Sequence, residues 1–385
     1  MRDFDLIDMA DLVEGGSVKW SRYPDAIGAW VAEMDFGTAP AVTRALQEAV
    51  QRGSFGYLPA ALSDEMSQAC ADWHREHYGW EVDSDRVHPV ADVLKGLEIA
   101  IGHYSRPGSP VIVPTPAYMP FLLVPPELGR DVIEVPLLST ATGFELDLEG
   151  IDAAFASGAE LLVLCNPHNP VGKVFSVDEL HAVAEVVERH GGRVFADEIH
   201  APLVYPGARH ASYASVSEVA AGHTLTATSA SKAWNLPGLK CAQLILSNDA
   251  DAARFEQIRV SATHGASTLG VIANTTAYAA GRPWLDDVLT YLAHLGALLS
   301  DLVAEHLPGV RYTAPAGTYI GWLDCRSLDL DPTPAEFFLR HAGVALTDGA
   351  ACGAAGRGHV RLVFATPAPV LTEAVTRMGR ALHSR

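Results

Sequence analysis

Four side chains are of types that act together when an amino acid is the reactant: the amine of Lys232, the carboxylate of Asp197, the amide of Asn169 and the guanidinium of Arg361. An amine condenses with an aldehyde and, once released, takes up a proton. A carboxylate beside a heteroaromatic nitrogen keeps that nitrogen protonated. An amide donates to a ring oxygen. A guanidinium grips a carboxylate through two parallel hydrogen bonds. Each residue alone has a plainer reading. An Asp ending an apolar run is usually a helix cap or a surface residue, Asn-Pro is a turn signal, Ser-Lys is ordinarily solvated, and a single Arg is ordinarily an ion-pair partner.

Their order and settings carry the argument. Cys165-Asn166-Pro167-His168-Asn169-Pro170-Val171-Gly172 directly follows a β-rich run, and Ala196-Asp197-Glu198-Ile199-His200 ends the next one. Thr228-Ser229-Ala230-Ser231-Lys232 ends a later run, and Arg361 lies inside Val360-Arg361-Leu362. Ligands of open α/β sheets bind beyond the carboxyl ends of strands. Pyridoxal 5′-phosphate (PLP) requires this set of groups. Lys232 holds its aldehyde as a Schiff base, Asp197 faces its pyridine nitrogen and Asn169 its ring oxygen. Ser229 and Lys240 take the phosphate with backbone N–H groups at a helix start. Arg361 takes the carboxylate of the substrate.

The elements that must position these groups read as α/β. Candidate strands are Pro110–Pro114, Val132–Pro136, Glu160–Cys165, Arg193–Ala196, Thr224–Thr228 and Gln243–Leu246. They are short and apolar, as strands buried on both faces of a mostly parallel sheet are. Between two of them, Ser176 and Glu179 form a capping box; Leu180, Val183, Ala184 and Val187 follow on one face, and Gly191-Gly192 stops the helix. The C-terminal third differs. A leucine stripe from Trp284 to His306 predicts a long connector helix. Beyond it come a strand at Tyr319–Leu323, a helix near Pro334–His341, a strand at His359–Val363 and a final helix. Residues Ala351–Gly358 are loop-like.

The chain of 385 residues is 49% hydrophobic, long enough for a large core and too long for one typical domain. A net charge of −19 argues against nucleic-acid and anionic-membrane partners. The five cysteines have no CxxC spacing, which points to a reducing compartment rather than to disulfides or zinc. Met1–Ala10 carries acids and no apolar core of a signal peptide, and no apolar run reaches transmembrane length. The expectation is a cytoplasmic protein. No metal site is expected: His74 and His77, three apart on a polar helix, have no evident third ligand and read as surface residues. No GxGxxG joins a strand to a helix, which sets a nicotinamide dehydrogenase aside.

With these residues in view, the chain resembles the fold-type I PLP enzymes of the aspartate aminotransferase superfamily. Within it, the chain is similar to the cystathionine β-lyase (carbon–sulfur lyase) subgroup related to MalY and PatB. The marks are Trp30-Val31-Ala32-Glu33-Met34-Asp35-Phe36, Phe55-Gly56-Tyr57, Thr115-Pro116-Ala117-Tyr118, Asp197-Glu198-Ile199-His200, Ser229-Ala230-Ser231-Lys232 and Val360-Arg361-Leu362. They span nearly the whole chain. The resemblance implies a large PLP-binding domain with a mostly parallel seven-stranded sheet (residues 46–284). It also implies a small α+β domain made from both chain ends (1–45 and 285–385), and a homodimer with active sites at the interface. Tyr118 would stack on the pyridine, and Tyr57 would reach the phosphate of the neighbouring subunit. His200 would border the cofactor, and backbone around Ala32 and Glu33 would line the substrate carboxylate pocket. Two positions depart from the family pattern. Lys240 stands where many relatives have an arginine. The phosphate cup reads Val90-Ala91-Asp92-Val93, so Ala91, Asp92 and Val93 would serve through backbone N–H groups while the Asp92 side chain points away or caps the helix.

The expected reaction is α,β-elimination from L-cystathionine or another cysteine S-conjugate. The released Lys232 amine takes the α-proton, a thiolate leaves the β-carbon, and hydrolysis yields pyruvate and ammonia. Transamination of an L-amino acid uses the same residues up to proton abstraction and is the alternative. A non-catalytic protein that keeps the fold for binding is a further reading, but it would not need Lys232, Asp197 and Arg361 together.

Overall fold

The computed structural model describes residues 4–140 and 143–384; the first three residues of the Met1–Ala10 segment lie outside them. Seven strands form the main sheet: β1 (Val87–Val90), β2 (Val111–Thr115), β3 (Val132–Pro136), β4 (Leu161–Cys165), β5 (Arg193–Asp197), β6 (Thr224–Thr228) and β7 (Ala242–Leu246). Their order is β1-β7-β6-β5-β4-β2-β3. All run parallel except β7, which is antiparallel to both its neighbours. Strands β2, β4, β6 and β7 are buried at every position, which is why none of them carries a charged residue.

The six expected strands occur within a residue of their predicted ends. β1 was not expected. Val87-His88-Pro89-Val90 has too short an apolar pattern, and Pro demotes a strand reading. The helix α1 (Pro40–Gln51) packs on α5 (Thr268–Ala280), and α2 (Ala60–Tyr78) packs on α5 as well. Helix α3 (Val93–Tyr104) covers β5, β6 and β7. The capping box of α4 (Val177–Arg189) is formed in both directions, Glu179 N–H to Ser176 Oγ at 3.2 Å and Ser176 N–H to Glu179 Oε2 at 2.7 Å.

The leucine stripe forms α6 (Arg282–His306), which packs on α8 (Ala368–His383). By length and composition α6 is apolar enough to cross a membrane, contrary to the expectation that no run is. Its buried Trp284, Leu285, Leu292, Leu295 and Leu299 belong to the core instead. A second, antiparallel sheet holds β8 (Arg311–Tyr312), β9 (Ile320–Asp324), β10 (Thr347–Asp348) and β11 (His359–Val363), in the order β8-β9-β11-β10. Helix α7 (Pro334–Ala342) packs beside it.

The N-terminal segment is bound to this second sheet. Ile27–Gly28 pairs in parallel with Val344–Ala345. Val363 N–H donates to the Ala29 carbonyl at 2.9 Å, and Asp35 N–H to the Ala365 carbonyl at 3.0 Å. Residues 45 and 284, where divisions were expected, both fall inside helices, α1 and α6. The surface reading of His74 is corrected. His74 is buried on the face of α2 turned toward Trp80, where its Nδ1 lies 2.8 Å from the Cys70 carbonyl. All five cysteines are free and buried.

Candidate active site

Register puts the expected residues together. Cys165, Asp197 and Ala227 are paired across β4, β5 and β6, so three parallel strands end at one level. The Asn169 loop, Asp197 itself and the Ser229–Lys232 turn therefore leave the sheet side by side. β1 ends at the same edge and delivers Ala91, Asp92 and Val93. The antiparallel β7 begins at that edge, so Lys240, two residues before it, arrives there too.

The Asn169 loop is fixed locally. Gly172 has φ +69°, and a Cβ there would come within 2.1 Å of Pro315. Gly172 N–H donates to the His168 carbonyl at 2.7 Å. The His168 ring nitrogen Nε2 lies 2.8 Å from the Pro116 carbonyl, which ties this loop to the one carrying Tyr118.

A cavity of about 170 Å³ lies over the strand ends, lined by Asn169, Asp197, His200, Tyr118, Lys232 and the Ala91–Val93 turn, among others. Asp197 is 3% exposed and accepts from Ile199 N–H at 3.0 Å; burial pushes its carboxyl up to about 7. Burial, with Arg361 nearby, lowers the Lys232 amine to about 8. The amine donates to the Ala32 carbonyl at 3.0 Å. His200 is buried; burial, reinforced by Lys232 and Arg361, lowers it to about 3, so it is neutral. Its Nδ1 is buried with no partner among the described residues.

Arg361 is the middle residue of β11, opposite Trp322 on one side and Thr347 on the other. It is 3% exposed, donates to the Trp30 carbonyl at 2.9 Å and to Asn169 Oδ1 at 3.3 Å, and its buried Nε has no partner among the described residues. It borders a second cavity of about 530 Å³. Lys232, Tyr118 and Ala32 line both cavities, so the amine stands at the passage between them.

Residues 29–378 match the family of class I and II aminotransferases. The chain belongs to that family. Cystathionine beta-lyase of Corynebacterium glutamicum is 38% identical over 97% of this chain and 99% of its own. Cystathionine beta-lyase PatB of Bacillus subtilis is 30% identical over 95% and 96%. The crystal structure of the PLP-bound C-S lyase from Staphylococcus hominis superposes with a TM-score of 0.91, 25% identity and 99% coverage of both chains. A family member needs an amine, a carboxylate at the sheet edge and an anion cup. The first two are present, and the orphaned His200 Nδ1 and Arg361 Nε are unspent polar atoms that PLP and an amino-acid carboxylate would engage.

The cup of this family member differs in detail from the expectation. Asp92 does cap α3, accepting from Lys95 N–H at 2.9 Å. Its other oxygen pairs with Lys240 Nζ at 2.8 Å, so the cation assigned to the phosphate is already shared with a carboxylate. The Ser229 hydroxyl donates to the Cys241 carbonyl at 2.7 Å and accepts from Ser231 N–H at 3.0 Å. Ser229 thus shapes the turn, while Ser231, not singled out in the sequence, also lines the cavity. Tyr57 is 90% exposed and lies outside the site of its own chain. The Glu33 carbonyl faces Lys19 Nζ at 3.3 Å, so of the Ala32–Glu33 pair it is the Ala32 carbonyl that faces the site. Sequence reasoning missed Tyr319, whose hydroxyl donates to that same carbonyl at 3.1 Å. It also missed Cys165, whose thiol lies 3.8 Å from Asp197 Oδ2. Neither has a local signal; both are contacts between distant segments.

Proposed function

We propose that the protein is a PLP-dependent carbon–sulfur β-lyase. It converts L-cystathionine or another cysteine S-conjugate, with water, to a thiol, pyruvate and ammonia. The observation that carries this reading is the position of Lys232 between a cavity lined by Asp197 and Asn169 and one bordered by Arg361. The names of the relatives, cystathionine beta-lyase and C-S lyase, support the same chemistry.

When bound, PLP supplies an aldehyde for the substrate amine and a sink for the electrons left by the α-proton. The chain supplies the rest. Arg361 fixes the substrate carboxylate through its fork, which sets the direction of the Cα–H bond. Lys232 takes the α-proton; an amine lowered to about 8 is neutral in a useful fraction near neutral pH. Asp197 sits in a site where burial disfavours its charge, so a cationic ring nitrogen is the partner that restores ionisation. Asn169 and neutral His200, which line the same cavity, would hold the ring oxygen. The protein acts as a homodimer in the cytoplasm. The exposure of Tyr57 and Phe55 outside their own site supports the dimer, and five unpaired cysteines support a reducing compartment.

The test is to incubate purified PLP-loaded protein with L-cystathionine and no keto acid. Pyruvate and free thiol should form in equal amounts. Turnover that strictly requires a keto acid would replace the lyase by an aminotransferase, and a light-scattering mass of one chain would overturn the dimer.

A further inference from the structure

The larger cavity continues outward past Arg361 to a mouth bordered by Arg22, Tyr23, Trp30, Glu336 and Asp348. The Arg22 guanidinium lies 5.1 Å from the Trp30 ring centre and 5.8 Å from that of Tyr23. It has no ion-pair partner among the described residues. On the same cavity, Asp348 accepts only a backbone bond, from Ala350 N–H at 2.9 Å, and no cation pairs with it among the described residues. Glu336 is different, since it pairs with Arg340 one turn along α7. The mouth thus offers one unspent guanidinium on an aromatic shelf and one unspent carboxylate.

Trp30 joins this mouth to the inner site. Its carbonyl accepts from Arg361 at 2.9 Å and from the Thr347 hydroxyl at 2.7 Å, and its indole N–H donates to the Lys19 carbonyl at 3.2 Å. One anchored residue therefore holds both guanidiniums, Arg361 by its backbone and Arg22 by its ring. Both guanidiniums border the same cavity.

We propose that the mouth is a subsite for the far end of the substrate, and that this end is a free amino acid. Arg22 takes its carboxylate, Asp348 its ammonium, and the Trp30 and Tyr23 rings cover the intervening methylenes. This rests on the lyase reading and adds to it the two residues, Arg22 and Asp348, that would tell L-cystathionine from a simple S-alkyl cysteine.

The test compares L-cystathionine, S-(3-carboxypropyl)-L-cysteine, which lacks the far ammonium, and S-ethyl-L-cysteine, which lacks both far groups. The proteins are wild type, Arg22→Met, Arg22→Lys and Asp348→Asn; Asn keeps the acceptor for Ala350. In Arg22→Met the ratio of kcat/KM for L-cystathionine to that for S-ethyl-L-cysteine should fall at least tenfold, and Arg22→Lys should restore part of it. Asp348→Asn should abolish the preference for L-cystathionine over the carboxypropyl compound. Ratios unchanged within twofold in Arg22→Met and Asp348→Asn overturn the subsite. If wild type releases pyruvate from none of the three, the lyase reading fails by itself. The subsite is then judged by spectral titration of the PLP-loaded protein: tighter binding of L-cystathionine than of S-ethyl-L-cysteine, lost in the variants, upholds it, and equal binding overturns it.

Discussion

The Lys232 amine donates to the Ala32 carbonyl at 3.0 Å, a bond between residues 200 apart in the chain. The segment around Ala32 is itself held from below: the buried Lys19 ammonium pairs with Asp35 at 2.7 Å, and Asn235, three residues after Lys232, accepts from Met34 N–H at 3.0 Å. The N-terminal segment therefore reports the position of the reactive lysine, and the lysine has an acceptor to rest on before it reacts.

Removing that amine separates its two roles. Lys232→Ala should still take up PLP, because Asp197, Asn169 and the cup remain. Pyruvate release should fall by roughly a thousandfold, as expected for loss of a proton-transfer group. Retention of PLP after dialysis and single-turnover assays check this; near-full activity would refute the assignment.

The pH dependence of cofactor capture follows from the same residue. Only the neutral amine attacks an aldehyde, and Lys232 is lowered to about 8 by burial. The rate at which apoprotein develops the visible band of bound PLP should rise with pH through about 8 and level above it. A rise continuing to the ordinary lysine range near 10.5 would show that the amine is solvated.

Asp197 should cost the apoprotein stability. Its carboxyl is raised from 3.8 to about 7 by burial. Below the lower value it is neutral in both folded and unfolded chains and costs nothing. Between the two the unfolded chain ionises first, so stability falls as pH rises, and above about 7 the cost is constant at about 4 kcal/mol. Asp197→Asn apoprotein should melt higher than wild type at pH 8, with the difference shrinking toward pH 4, while PLP binding and turnover are lost. Calorimetry at the two pH values checks the sign.

The shared Lys240–Asp92 pair makes a test of the phosphate cup. Asp92→Ser keeps a cap for α3 and frees the Lys240 charge, so PLP should bind several-fold tighter. Lys240→Met should weaken it. Fluorescence titration of apoprotein with PLP gives both; identical affinity in all three proteins would place the phosphate elsewhere.

Arg361→Lys keeps the charge and loses the fork. The ammonium has a single nitrogen where Asn169 and the Trp30 carbonyl are bonded by two, so it cannot keep both and also offer a carboxylate two parallel bonds. KM for any amino-acid substrate should rise by about 10- to 100-fold, the size of one or two charge-assisted hydrogen bonds. A change in kcat alone would place Arg361 away from the substrate carboxylate.

The local chemistry was legible because it is written in short segments. Buried parallel strands are apolar runs, and a strand end followed by a polar residue exposes that residue at a sheet edge; Asp197, Asn169 and Lys232 were found this way. Ser176 and Glu179 specified their helix start through contacts three residues apart. β1 was missed because His88 and Pro89 obscure its pattern, and its place is set by pairing with β7.

The sequence by itself determined which groups the site contains, since an amine, a carboxylate, an amide and a guanidinium are fixed by residue type. Tertiary structure decided what each group is free to do. It spent the Ser229 hydroxyl on Cys241, shared Lys240 with Asp92 and buried His74; among the described residues it left His200 Nδ1 and Arg361 Nε without a hydrogen-bond partner and the Arg22 guanidinium without an ion-pair partner. It also lowered Lys232 and raised Asp197. These outcomes depend on neighbours tens to hundreds of residues away and on exclusion of water, and hydrogen bonding and desolvation act through distance in space, which residue spacing does not encode.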